Sequence, residues 1–174
     1  AKEINDEANT IYKNCLKSND GKKAVEYLKS RGISGETAAF FNLGYAKDGW
    51  TNLFDKVASK YSKADIAESG LFSTKDKKSF DFFRARLMFP IRNIRGQCVA
   101  FGGRIIGDGE PKYLNSPETK TYSKSNELFG LYEARSLTKN LDSLIVVEGY
   151  MDVIALYQNG VKNAVASLGT AITG

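Results

Sequence analysis

The sequence contains no histidine, and its only two cysteines, Cys15 and Cys98, stand far apart. Both scarcities exclude chemistry. Without histidine there is no Ser-His-Asp triad and no imidazole acid or base. Two isolated thiols cannot build the nitrogen and sulfur cage of a structural zinc site, so no zinc is expected in this chain. Long apolar runs are also missing. None approaches the length of a membrane span, and no signal peptide opens the chain, so a cytoplasmic location is the expectation. Any catalysis must rest on carboxylates, lysines, arginines, hydroxyls or bound ions.

What is present is a globular composition. Of 174 residues, 42% are apolar and 26% charged, enough for one ordinary domain or a small domain plus part of another. The net charge of +5 is unevenly spread. Residues 1–70 carry 11 basic and 10 acidic side chains, residues 71–135 carry 12 and 7, and residues 136–174 carry 2 and 3. A polyanion would be drawn to the middle segment. A solvated surface with ordinary charge scatter would look the same.

Patterning divides the chain. Ile4, Ala8, Ile11, Tyr12, Cys15 and Leu16 recur at helical spacing, and shorter helices are expected through Ala24–Leu28, after an N-cap at Ser34, after a cap at Asp48, and from Ala64 to Ser69. Near residue 79 the pattern turns to strands: Phe80 to Phe83, Leu87 to Phe89 and Cys98 to Phe101, with a turn at Asn93–Gly96. Glu127–Ala134 reads as helix. Polar residues 136–143 make the best boundary. Beyond them, Leu144–Val147 is a continuous apolar run of the kind that suits a strand buried on both faces. A helix over Met151–Gln158 and a second buried strand at Ala164–Ala166 complete a βαβ unit.

Chemistry collects at the end of the first of those strands. Glu148 follows the apolar run, Gly149 permits a tight turn, and Asp152 lies one helical turn on. Ligands of open α/β sheets bind beyond the carboxyl ends of strands. Ser167-Leu168-Gly169-Thr170 should face the same crevice. Two carboxylates there suit magnesium. Taken alone, E-G-x-x-D is better served by a Glu148 that caps a turn or pairs with a nearby arginine and an Asp152 that caps the helix. The basic segment is also open to two readings. Arg84 and Arg86, two apart, would share a strand face, with Arg92, Arg95 and Arg104 nearby, and Gly102-Gly103 would let a nucleic-acid backbone approach. Lys112, Tyr113 and Asn115 would add charge, a stacking surface and an amide. The same arginines could instead be salt-bridged along a strand face.

Several words of this sequence together resemble the polymerase region of bacterial replicative DNA primases. They are Phe83-Arg84-Ala85-Arg86-Leu87-Met88-Phe89-Pro90-Ile91-Arg92, Ala100-Phe101-Gly102-Gly103-Arg104, and Pro111-Lys112-Tyr113-Leu114-Asn115-Ser116-Pro117-Glu118-Thr119. Leu128-Phe129-Gly130-Leu131-Tyr132, Val147-Glu148-Gly149-Tyr150-Met151-Asp152-Val153 and Ala166-Ser167-Leu168-Gly169-Thr170 follow in the same order and spacing. The resemblance is dense over residues 83–170. It implies an α+β amino-terminal subdomain with a mixed twisted sheet, followed by the βαβ start of an α/β TOPRIM fold. The division expected is 1–138 as a basic nucleic-acid-binding subdomain (helical leader 1–70, strand-rich 71–138) and 139–174 as part of a TOPRIM metal-binding domain.

By that resemblance Glu148 is a catalytic metal-site acid and Asp152 a catalytic residue of the same motif, with Mg2+ or Mn2+ as cofactor. Arg84, Arg86, Arg104, Lys112, Asn115 and Lys124 would line the track for template and nucleotides. The implied reaction joins ribonucleoside triphosphates on single-stranded DNA into a short RNA primer, with a replicative helicase met through parts of the parent outside this chain. Two departures stand out. The loop Ser123-Lys124-Ser125-Asn126 lacks the histidine, glycine and arginine often found near that lysine. After residue 135 the only acids are Asp142, Glu148 and Asp152, so the family's later D-x-D pair is missing and this piece alone is expected to be inactive. The competing expectations are a non-catalytic single-stranded DNA-binding module and another TOPRIM enzyme.

Overall fold

The computed structural model describes residues 2–138 and 140–168. The helical stripe at the start becomes α1 (Lys2–Lys17), whose Ile4, Ala8, Tyr12 and Leu16 are buried as their spacing requires. Then come α2 (Lys22–Ser30), α3 (Gly35–Phe40), β1 (Gly44–Ala46), α4 (Asn52–Val57) and α5 (Lys63–Glu68). Ser34 caps α3 by accepting the Thr37 N–H, as expected of a serine at that position. Asp48 does not cap α4. Its Oδ1 accepts from the adjacent Gly49 N–H, and the carboxylate of Asp81, remote in sequence, takes the N–H groups of Leu53 and Phe54 instead.

The strands that follow are β2 (Phe72–Lys75), β3 (Lys78–Asp81), β4 (Arg86–Arg92), β5 (Cys98–Ile105) and β6 (Tyr113–Asn115). β2 and β3 form a hairpin whose two turn residues, Asp76 and Lys77, both have positive φ, as a tight primed turn demands. The main sheet has the order β1-β4-β5-β6 and is antiparallel throughout. Its central strands are buried on both faces. Met88 and Phe101 face α1, with Ile4, Tyr12 and Leu53. Leu87, Phe89 and Ile91 face the opposite layer.

That layer is built by β7 (Leu128–Phe129), α6 (Leu131–Leu137), β8 (Ile145–Val147), α7 (Tyr150–Gln158) and β9 (Ala164–Ser167). β8, α7 and β9 are the expected βαβ unit, with β8 parallel to β9. β7 joins antiparallel on the other side of β9, so parallel and antiparallel pairing mix in this second sheet. The α+β and βαβ plan is the one expected.

Three local expectations are corrected. Phe82 and Phe83 lie between strands, because β3 ends at Asp81 and Ala85 takes φ +52 before β4 begins. Glu127–Ala134 is not one helix. Phe129 enters the aromatic core and pairs with β9, and Gly130, at φ +90, separates it from α6. The run Leu144–Val147 is not buried on both faces. β8 lies at the edge of the described sheet, and Ile145 and Val146 are 44% and 54% exposed. Gly169 and Thr170 lie outside the described residues.

Candidate active site and nucleic-acid face

A crevice of about 760 Å³ opens where the two layers meet. Its walls come from the end of β8 (Val147, Glu148), the start of α7, the end of β9 (Ser167, Leu168) and the β6 residues Tyr113 and Asn115. Its floor is set by Tyr150. That ring is buried, stacked on Phe89 at 4.9 Å and 6°, and meets Phe129 edge-on at 4.9 Å. Its hydroxyl donates to Asn115 Oδ1 at 2.6 Å, and burial pushes the phenol far above its usual range.

The acids sit as the strand-end reading requires. Glu148 is exposed, and its carboxylate makes no hydrogen bond or ion pair among the described residues. Asp152 is one helical turn on and accepts from Gly149 N–H at 3.2 Å, closing the first turn of α7. Asp152 therefore does cap its helix, while its exposure in the crevice leaves the carboxylate open to a cation as well. Two hard oxygen donors at one strand end fit magnesium or manganese. No group of three His, Cys, Asp or Glu side chains able to hold a metal ion occurs among the described residues, so the pair fits as part of a site.

The arginines do not share one exposed face. Arg86 is 4% exposed. Its guanidinium donates to the carbonyls of Pro111 (2.7 Å), Gly103 (3.2 Å) and Lys112 (3.4 Å), and burial lowers its pKa. It braces the β5–β6 connection from within the protein. Arg104 pairs across the sheet with Leu87, so it projects to the opposite side from Arg86. There its guanidinium lies 4.2 Å from the Tyr27 ring, next to Tyr113, which is opposite it on β6. Arg84 is displaced again by the turn at Ala85. It donates to Asp81 O at 2.6 Å and covers the Trp50 ring at 4.2 Å.

The paired glycines are corrected too. Both are buried. A Cβ on Gly102 would overlap the Tyr150 ring, and one on Gly103 would crowd Phe83 and Arg86. They admit protein side chains, not a nucleic-acid backbone. Glu148, Asp152 and Asn115 do meet in one crevice, and Arg104 shares its sheet face with Tyr113 and Asn115. Lys112 is exposed at the start of β6. Lys124 does not line the crevice; its backbone N–H donates to Glu118 Oε1.

Sequence reasoning missed Tyr27, which is on a distant helix and has no local signal. It also missed the cluster of Trp50, Phe80 and Arg84. Trp50 is 63% exposed and is the chain's only tryptophan, which was the available clue. A separate cavity of about 310 Å³ lies on the α1 side of the sheet, lined in part by Tyr12, Cys15 and Asp81. Burial raises the Cys15 thiol, which argues against nucleophilic use.

A strand-end acid on a βαβ unit, packed against an antiparallel sheet, points to the class: the Toprim domain profile matches residues 142–174. The profile for the DNA primase catalytic core, N-terminal domain, matches residues 11–135, and the chain belongs to that family. It is 53% identical over 170 residues to DNA primase of Pseudomonas putida, covering 95% of this chain and 26% of the relative. It is 44% identical over 173 residues to DNA primase of Escherichia coli K12, covering 98% and 30%. The chain thus spans about a quarter to a third of the curated relatives it matches. Among solved structures, a DnaG primase catalytic domain bound to single-stranded DNA superposes with a TM-score of 0.94 at 44% identity, covering 99% of this chain and 54% of that one. The RNA polymerase domain of Mycobacterium tuberculosis DnaG, solved with a double-stranded DNA oligomer bearing a 6-nucleotide overhang, gives 0.91 at 35%, with 99% and 55% covered.

Proposed function

We propose that this chain forms the template-facing part of a DNA primase catalytic core, and that the full-length protein copies single-stranded DNA into short RNA primers. The observation that carries the reading is Glu148, an exposed carboxylate at a strand end, in a crevice it shares with Asp152 and with Tyr113 and Asn115 of the main sheet. In the reaction, the 3′-hydroxyl of one ribonucleotide attacks the α-phosphorus of an incoming ribonucleoside triphosphate. A new P–O bond forms, the bond between the α-phosphorus and the oxygen bridging to the β-phosphate breaks, pyrophosphate leaves, and the hydroxyl proton passes to solvent.

Glu148, with Asp152 beside it, would hold magnesium or manganese. A bound divalent ion neutralises phosphate charge and lowers the pKa of the attacking hydroxyl. The remaining ligands would come from elsewhere in the full-length protein. Arg104 and Lys112 would meet phosphates, Asn115 accepts from Tyr150 at the crevice floor, and Lys124 would make a peripheral phosphate contact. Arg84 with Trp50 offers a cationic and aromatic surface for an unpaired base. Arg86 supports this face from behind. Phosphate contacts with few base contacts make template binding sequence-tolerant and salt-sensitive. The setting is the bacterial cytoplasm, with a replicative helicase met through segments outside these 174 residues.

The test is Glu148→Gln in the full-length protein. Glutamine keeps the shape and loses the charge that holds a cation. Primer synthesis should fall to background while oligonucleotide binding stays near wild type. Synthesis at the unmodified rate would overturn the metal assignment. In parallel, labelled single-stranded DNA titrated into the 174-residue chain should bind at roughly 10⁻⁴–10⁻⁶ M near physiological salt and more tightly below it. Equal affinity at both salts would remove the electrostatic face.

A further inference from the structure

Asp81 ends β3 and is 3% exposed, yet all of its polar atoms are engaged. Its Oδ2 accepts from Leu53 N–H and its Oδ1 from Phe54 N–H, each at 2.9 Å. Its backbone N–H donates to Trp50 O at 2.7 Å, and its carbonyl accepts from Arg84 Nη1 at 2.6 Å. The start of α4, the backbone of Trp50 and the guanidinium of Arg84 thus converge on one residue.

The local sequence explains why α4 needs it. Thr51 occupies the N-cap position but directs its hydroxyl to Asp55, leaving the first N–H groups of the helix without a local acceptor. Asp81 supplies that acceptor from another strand. Burial of the carboxylate would otherwise be costly, and the two N–H donors offset it. On the far side of the same residue, Arg84 lies 4.2 Å from the Trp50 ring and 5.6 Å from Phe80, and Phe80 meets the indole edge-on at 5.5 Å. Trp50 stays largely exposed beyond these contacts.

We infer that Asp81 is the positioning residue of a base-stacking platform made of Trp50 and Arg84. It touches no nucleic acid itself. It fixes the spacing between an aromatic ring and a guanidinium that would otherwise ride on two separate loops. The inference rests on the proposed single-stranded DNA reading for its purpose, but not for its geometry.

The two can be separated, because Trp50 is the chain's only tryptophan and its fluorescence reports on the platform directly. Asp81→Asn keeps the shape, removes the charge and offers an amide where an acceptor stood. Asp81→Ser keeps a short acceptor for one N–H of α4 and is the second variant if the first melts below the assay temperature. Either folded variant should change the accessibility of Trp50 to acrylamide. Either should also weaken binding of a labelled single-stranded oligonucleotide roughly fivefold, a fraction of the stacking worth of one base. Combining it with Arg84→Ala should add nothing further. An unchanged quenching constant and unchanged affinity in a folded variant, with Arg84→Ala still weakening binding, would overturn the positioning role and leave the DNA reading standing. Altered quenching with wild-type affinity in both Asp81→Asn and Arg84→Ala would sink the DNA reading and leave the positioning intact. Loss of the fold in both Asp81 variants would make the residue structural only and would overturn the inference.

Discussion

Arg84 and Arg86 stand two positions apart and do different work. The alternation that would place them on one face holds only in an unbroken strand, and Ala85 at φ +52 breaks it. An alanine gives no warning of a left-handed residue, as a glycine would. The arginines were therefore legible as a pair of charges, but not as one surface brace and one buried brace. The distinction has a measurable outcome. Arg86→Ala strands three carbonyls that now share its donors and leaves a void, so a loss of about 2–4 kcal/mol and a clear drop in Tm are expected. Arg84→Ala, at a half-exposed site, should cost under ~1 kcal/mol and act on oligonucleotide affinity instead. Thermal unfolding followed by circular dichroism decides it. Equal, small Tm shifts for both would show that Arg86 is not a structural donor. The place of Glu148 at a strand end, by contrast, was legible from sequence order, because a short apolar strand followed by Glu-Gly leaves the acid there; its role was not, since the motif alone suits a turn cap as well as a metal ligand.

Elements were legible where the signal is local. The α1 stripe, the serine cap of α3 and the Asn-Gly stop after α7 each depend on neighbours within a turn, and each is present. Elements were misjudged where a distant residue decides. Asp81 displaced Asp48 as the cap of α4, and Phe129 left its expected helix to join the aromatic core with Phe41 and Tyr150. A further tie between elements is the contact of Glu7 on α1 with Lys60 and Tyr61 on the segment between α4 and α5, both at 2.6 Å. The Lys60 and Tyr61 hydrogen bonds hold the Glu7 carboxyl below its usual value, and Glu7 in turn pushes Tyr61 up to about 12. The signs oppose. A lowered carboxyl contributes stability above its unfolded pKa and loses it as pH falls through the folded value. A raised phenol contributes below its unfolded value and loses it as pH rises toward about 12. The contact is thus complete from neutrality to mildly alkaline pH. In urea titrations, the gap in midpoint between wild type and Glu7→Gln should be open at pH 7 and close as pH falls through the carboxylate range. A gap independent of pH would show that the charge of Glu7 is not what holds the segment.

At the scale of the whole molecule, one aromatic core spans both layers. Tyr150, from the start of α7, stacks on Phe89 of the main sheet while holding Asn115 of β6. The crevice floor is therefore shared between layers, and its geometry depends on Gly102 leaving room beneath the ring. Gly102→Ala should overpack that contact, costing about 1–3 kcal/mol. The cost should shrink in a Tyr150→Leu background, because the clashing ring is gone. Strict additivity in that double-mutant cycle would mean that the close approach does not set the floor. This dependence could not be read from sequence, since a glycine pair before an arginine equally suits a ligand or a packed ring. A last consequence follows from the position of β8, which is at the sheet edge among the described residues. Its outer N–H and C=O groups face away from β9, and Ile145 and Val146 beside them are exposed. An open, apolar strand edge without a charge or proline within it invites the same strand of another copy. Handled as a purified solute, these 174 residues should be limited by protein concentration sooner than by heat. The remedy would be colloidal, dilution or a lysine written into β8, and not a search for a more stable core.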